Sequence, residues 1–194
     1  MLIPRWRKLW VSSLVLAALC GFTCGWRDRS ENPSFVITTK SEEPPEMKLM
    51  RKGRFDEAAK TILGPIKDEK KDYHEYQSVA MVYAARATKD PANREKWLQQ
   101  AVFYVDRSVS LAPDDGINSM SAAFGMDRLG DLSSQGCPYY LKARQLADDA
   151  LSHLKSDSIS AGEEKMPTQP FRDDIGKLLG RLQGKIAASC ANKP

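Results

Sequence analysis

From Glu46 to about Lys155, apolar and small residues recur every three or four positions, the spacing that lines one face of a helix. Tyr76, Val79, Ala80 and Tyr83 form one such face, Leu98, Ala101, Val102, Val105 and Val109 a second, and Ala143, Ala147 and Ala150 a third. Gly53, Gly64-Pro65, Asp90-Pro91, Pro113-Asp114-Asp115-Gly116 and Gly136-Cys137-Pro138 interrupt the pattern and divide it into short helices. Short helices joined by tight turns bury their faces only against one another, so the pattern predicts antiparallel helical hairpins over residues 46–155. Ser156 to Pro170 is polar and carries Gly162, Pro167 and Pro170, which reads as a loop. Val36–Thr39 is the one locally strand-like run, and with no second strand to pair with it also reads as loop. The expected fold class is therefore all-α, without strands.

A last amphipathic helix is expected over residues 171–189. Phe171, Ile175, Leu178, Leu179, Leu182 and Ile186 fall on one side of it, suited to capping the end of a stack. Gly176, Gly180 and Gly184 recur on an adjoining stripe, and each interior glycine costs about 1 kcal/mol relative to alanine. Three in register imply close backbone packing, either against the preceding hairpin, which is favoured, or against a second copy in a homodimer. A membrane-spanning helix is excluded here by Arg172, Asp173, Asp174, Lys177, Arg181 and Lys185.

The N-terminus follows a different pattern. Arg5, Arg7 and Lys8 precede an uncharged run from Leu9 to Trp26, densest at Leu14–Leu19. Residues 1–26 thus read as a targeting unit. The run is long for a cleaved signal peptide and short for a spanning helix, so a cleaved signal and an uncleaved membrane anchor both stay open. Leu-Ala-Ala-Leu before Cys20 adds a third option, lipidation at Cys20, although Leu19 stands where a lipobox wants a small residue. All three place the rest of the chain outside the cytoplasm, in the periplasm or on the cell surface if the source is bacterial. Residues 27–45, with Asn32-Pro33 and Pro44-Pro45, read as a polar linker.

Composition adjusts this picture in two respects. The formal charge of +4 includes the three N-terminal positives, and setting those aside leaves a near-neutral body without the clustered basic face that nucleic acid requires. Of four cysteines, Cys20 and Cys24 belong to the targeting run, leaving Cys137 and Cys190 in the body. In an oxidising compartment that pair suggests one disulfide; the other reading is two buried thiols acting as small hydrophobes.

Taken in order, the central residues resemble the tetratricopeptide repeat (TPR) family, whose 34-residue unit is an antiparallel helix pair. Tyr76, Val79, Ala80 and Tyr83 match the first helix, Ala101, Val105 and Ser108 the small-residue positions of the second, and Pro113 the terminator. Thr88 to Lys96 reads as an insertion enlarging the turn. An earlier, degenerate unit centres on Gly53 and Ala58. A later one has Ala122, Ala123 and Met126 in its first helix, Gly130 in its turn, extra residues at Asp131–Pro138, and Ala143, Ala147 and Ala150 in its second helix. The resemblance implies a short TPR-like solenoid with a C-terminal cap, binding a protein or peptide partner without cofactors. First-helix residues would then line the binding groove, with Gln77, Met81, Asn118 and Ala122 as the candidates.

Motif-borne chemistry is missing from the sequence. The two histidines, His74 and His153, have no Cys, His or carboxylate at metal-ligand spacing. Adjacent acids such as Asp148-Asp149 and Asp173-Asp174 diverge by about 100° on a helix and make no catalytic dyad. The expectation is an exported, membrane-associated, non-catalytic adaptor without metal or cofactor. The alternative is a structural subunit of an envelope complex that self-associates through the glycine-striped helix.

Overall fold

A computed structural model describes residues 43–64, 72–161 and 164–191. The targeting run with Cys20, and the linker up to residue 42, lie outside the described residues. The described chain is mostly helical: α1 (Pro45–Arg51), α2 (Phe55–Leu63), α3 (Tyr73–Lys89), α4 (Arg94–Leu111), α5 (Gly116–Leu132), α6 (Gly136–His153) and α7 (Gln169–Cys190). A short 3-10 turn, Pro91–Asn93, joins α3 to α4, and strands β1 (Ser158–Ala161) and β2 (Glu164–Pro167) separate α6 from α7. Among the described residues, no helix is long and apolar enough to cross a membrane.

Local chemistry accounts for the helix ends. Gly53 takes φ 74°, a left-handed value that costs glycine little. It donates to Met50 O at 3.0 Å while Arg54 N donates to Leu49 O at 3.0 Å, the paired bonds that close a helix at glycine. Asp115 starts α5 by accepting from Ile117 N at 2.8 Å and Asn118 N at 3.0 Å. Asp90 ends α3 and holds the following turn, accepting from Asn93 N at 3.3 Å and from Trp97 Nε1 at 2.9 Å.

Helix α3 pairs with α4, and α5 with α6; each hairpin packs against the next element in order, α4 with α5 and α6 with α7. Alternate helices also meet one another, α3 touching α5 and α5 touching α7. Fully buried alanines, among them Ala87, Ala101, Ala123, Ala143, Ala147 and Ala150, let these backbones approach closely. The main core runs from Ala80 through Leu98, Met126 and Leu146 to Ile175, Leu178 and Leu182 of α7. A smaller core of Phe55, Ala58, Ala59, Val79 and Val82 joins α2 to α3. Tyr83 and Tyr104 pack against both.

Three expectations are corrected. The first concerns the enlarged turns. The extra residues at Thr88–Lys96 and Asp131–Pro138 lengthen the helices, giving α3 and α5 17 residues each and α4 and α6 18 each. Gly130 accordingly lies inside α5, where a Cβ would overlap the Tyr140 ring. It is a close-contact glycine in place of a turn glycine.

The second correction is the loop at residues 156–170, where the structure has an antiparallel β-hairpin pairing Ile159 with Met166. Thr168 is buried at its base, donating through Oγ1 to Ser156 O and through N to Asp157 O. Arg172 then donates through Nε to Leu154 O at 2.6 Å, tying the start of α7 to the end of α6. A two-stranded ribbon is not independently stable, so these anchors matter.

The third correction concerns the glycine stripe. Gly176, Gly180 and Gly184 are exposed, and a Cβ on any of them would meet nothing within 4 Å. Packing against the preceding hairpin therefore does not explain them. Replacing all three with alanine is expected to raise the thermal midpoint, each change gaining up to about 1 kcal/mol of helix propensity. A lowered midpoint by calorimetry would show that another surface covers the stripe.

Candidate functional site

The four residues expected to line a groove divide between two roles. Asn118 is fully buried. Its Nδ2 donates to Ser108 O at 3.0 Å and Ala112 O at 3.2 Å, and its Oδ1 accepts from Gln77 Nε2 at 2.7 Å. Gln77 and Asn118 thus form a clamp from α3 through α5 to the end of α4. Ala122 is also buried, at 2% exposure, in the main core. Neither Asn118 nor Ala122 can touch a partner, and Gln77 is engaged in the clamp, which leaves Met81, half-buried on α3.

Helix periodicity nonetheless identifies an outward side. On α5, Ser121 and Gly125 are half-buried and Arg128 exposed. They recur opposite Ala123, Met126 and Gly130, which are buried. On α3, Met81 shares the outward side with Ser78, whose hydroxyl is bonded back to His74 O at 2.9 Å. This surface is mixed, with Met81 on α3, and half-buried Ile117 and Phe124 on the same stripe of α5 as Ser121 and the charged Arg128.

Charge is organised behind that surface. Lys185 of α7 reaches Asp127 Oδ1 at 2.7 Å and Asp131 Oδ1 at 2.7 Å on α5. Arg181 lies 3.6 Å from Asp127, which is nearly buried. Burial disfavours the charged ammonium of Lys185, but the bonds to Asp127 and Asp131 outweigh it and hold its pKa above the ordinary lysine value. Tyr140, which donates to Asp131 Oδ1 at 2.9 Å, is pushed up to about 12 by burial first and by that carboxylate second. Lys185 and Tyr140 are both shifted toward their ordinary ionisation states, as in a structural lock.

A second lock joins α4 to the turn after α5. Glu95 accepts from Ser134 N at 3.0 Å, Ser134 Oγ at 3.0 Å and Ser133 Oγ at 3.1 Å. Burial would raise its pKa, yet these donors win and hold it below the usual carboxylate range. An aromatic ladder fills the seam of α3 and α4, with Tyr83 and Tyr104 centroids 5.6 Å apart and the Arg86 guanidinium 3.5 Å over Trp97. Arg86 also binds Asp56 of α2 at 2.6 Å, fastening the smaller core to the larger.

Among the described residues, no group of three or more His, Cys, Asp or Glu side chains is placed to hold a metal ion. Cys137 and Cys190 are joined as a disulfide with Cα atoms 5.2 Å apart, tying the first turn of α6 to the last residue of α7. Phe103 on α4 and Leu141 on α6 are the most exposed large apolar side chains described, at 58% and 49%. No protein-family model, curated protein or solved structure matches the chain.

Proposed function

We propose that this chain is a non-catalytic adaptor of TPR-like build that holds a protein or peptide on the outward side of its first helices. The observation that carries this reading is the side-by-side contact of α3 with α5 and of α5 with the cap α7, which sets alternate helices next to one another. Such a surface offers helix-borne side chains in fixed register, the requirement for gripping an extended or helical peptide. Met81 supplies an adaptable apolar contact and Arg128 a charge. The basic, then apolar, N-terminal run supports export and membrane association of the adaptor.

The test is partner capture by photo-cross-linking from the native envelope, with Met81→Glu and Arg128→Glu against Phe103→Glu on a second helix. The first two are expected to lower capture at least tenfold and the third to leave it unchanged. Equal capture by all three would sink this placement. The exposed glycine stripe favours a second reading, a structural subunit that self-associates through α7. Sedimentation separates the two, since the adaptor is expected to be a monomer.

A further inference from the structure

We infer that Cys137–Cys190 is an exchangeable disulfide, attacked by a thiol at Cys190 with Cys137 as the leaving thiolate, and that its opening releases the end of α7. Thiol–disulfide exchange needs one accessible sulfur and one that leaves well. The two residues differ in both respects. Cys137 is 8% exposed, whereas Cys190, the last residue of α7, is more open. Cys137 is the second residue of α6, an 18-residue helix whose N-cap Gln135 makes no side-chain cap bond. With no side-chain cap there, the first-turn N–H groups and the positive end of the helix dipole stabilise a thiolate against the cost of its burial.

The reaction balances with a dithiol as the reductant. Its thiolate bonds to Cys190 Sγ, the protein S–S bond breaks, and the electron pair stays on Cys137 Sγ. The second thiol of the reagent, as thiolate, then displaces Cys190, which takes up a proton. The protein disulfide gains two electrons and the dithiol leaves as a cyclic disulfide.

The consequence lies in what else holds the end of α7. Its fully buried side chains, Ile175, Leu178 and Leu182, stop before the last two turns. From Gln183 to Cys190 the remaining holds are half-buried Ile186, the Lys185 cluster and the disulfide. Gly180 and Gly184 weaken the helix there without gaining contacts. With the bond open, these turns fray and uncover Tyr140 and Asp127, which Lys185 now covers.

The test uses the full-length chain. A brief pulse of glutathione, acid quench and peptide mapping should find the mixed disulfide on Cys190 at least tenfold over Cys137. Equal labelling, or an excess on Cys137, would overturn the directionality. After reduction by dithiothreitol, confirmed by alkylation of both cysteines, amides of Gly184–Cys190 should exchange fully at the earliest time point while those of Ile175–Leu182 stay protected. Unchanged protection at the helix end, or its loss throughout the chain, would overturn the release.

Discussion

Replacing Asn118 with leucine is expected to destabilise the fold by about 2–3 kcal/mol, because it strands Ser108 O and takes one of two partners from each of Ala112 O and Gln77 Nε2. Ser108 O loses the Asn118 Nδ2 donor at the end of α4, while Ala112 O keeps Asp115 N at 3.2 Å and Gln77 Nε2 keeps the main-chain O of residue 118 at 3.3 Å. The leucine also has to fit a site shaped for a planar amide. Chemical denaturation would register a lower midpoint. Gln77→Ala alone should cost less, since it leaves the two carbonyl bonds of Asn118 intact. In a double-mutant cycle the two changes should couple, because Asn118→Leu already removes the nearer of the two acceptors that Gln77 binds. A loss below about 1 kcal/mol for Asn118→Leu would show that the site relaxes or admits water.

The second large effect concerns the covalent link. The bond between Cys137 and Cys190 spans 53 residues. Chain-entropy arguments give a loop of this size about 4 kcal/mol of stabilisation, through the freedom it removes from the unfolded chain. The Cys137→Ser/Cys190→Ser variant should therefore unfold at a clearly lower denaturant concentration while losing from its helical circular dichroism in buffer only the share of the last two turns of α7. Agreement between wild type under reducing conditions and the variant without reductant would assign the loss to the bond. A midpoint equal to that of the oxidised protein would contradict the prediction.

Much of the fold was legible because helix periodicity survives burial. The stripe from Phe171 to Ile186 identified the last helix, and Ile175, Leu178 and Leu182 are indeed buried there. Turn lengths were less legible. An added segment near a turn can widen the loop or extend both helices, and Thr88–Lys96 does mainly the latter, the added length ending in the 3-10 turn at Pro91–Asn93. The β-hairpin escaped because Ser158–Ala161 and Glu164–Pro167 are short and carry only Ile159 and Met166 as facing apolar residues. Its anchoring comes from Thr168 and Arg172, whose partners are carbonyls and so leave no side-chain pattern in the sequence.

The candidate site was legible in outline only. First-helix positions can be counted from a repeat, but Asn118 and Ala122 differ from Met81 in which neighbour their face meets, and that depends on how the next helix packs. A buried asparagine and a groove asparagine are the same letter. Gly130 and Gly53 show the same ambiguity, one giving room to a ring and the other adopting a left-handed turn. Glu95 and Lys185 gave no sequence signal at all, because their partners lie 38 to 58 residues away.

The two cores have a mechanical consequence. Among the described residues, Tyr83 and Tyr104 pack against both, and the Arg86–Asp56 pair fastens the same boundary. Under tension applied at its N-terminal side, the chain has a defined shear plane at that seam. The short first hairpin would yield there as a unit, while the longer pairs behind it carry the load intact. A pull exerted at that end thus opens this seam before it disturbs α5 and the outward surface it shares with α3.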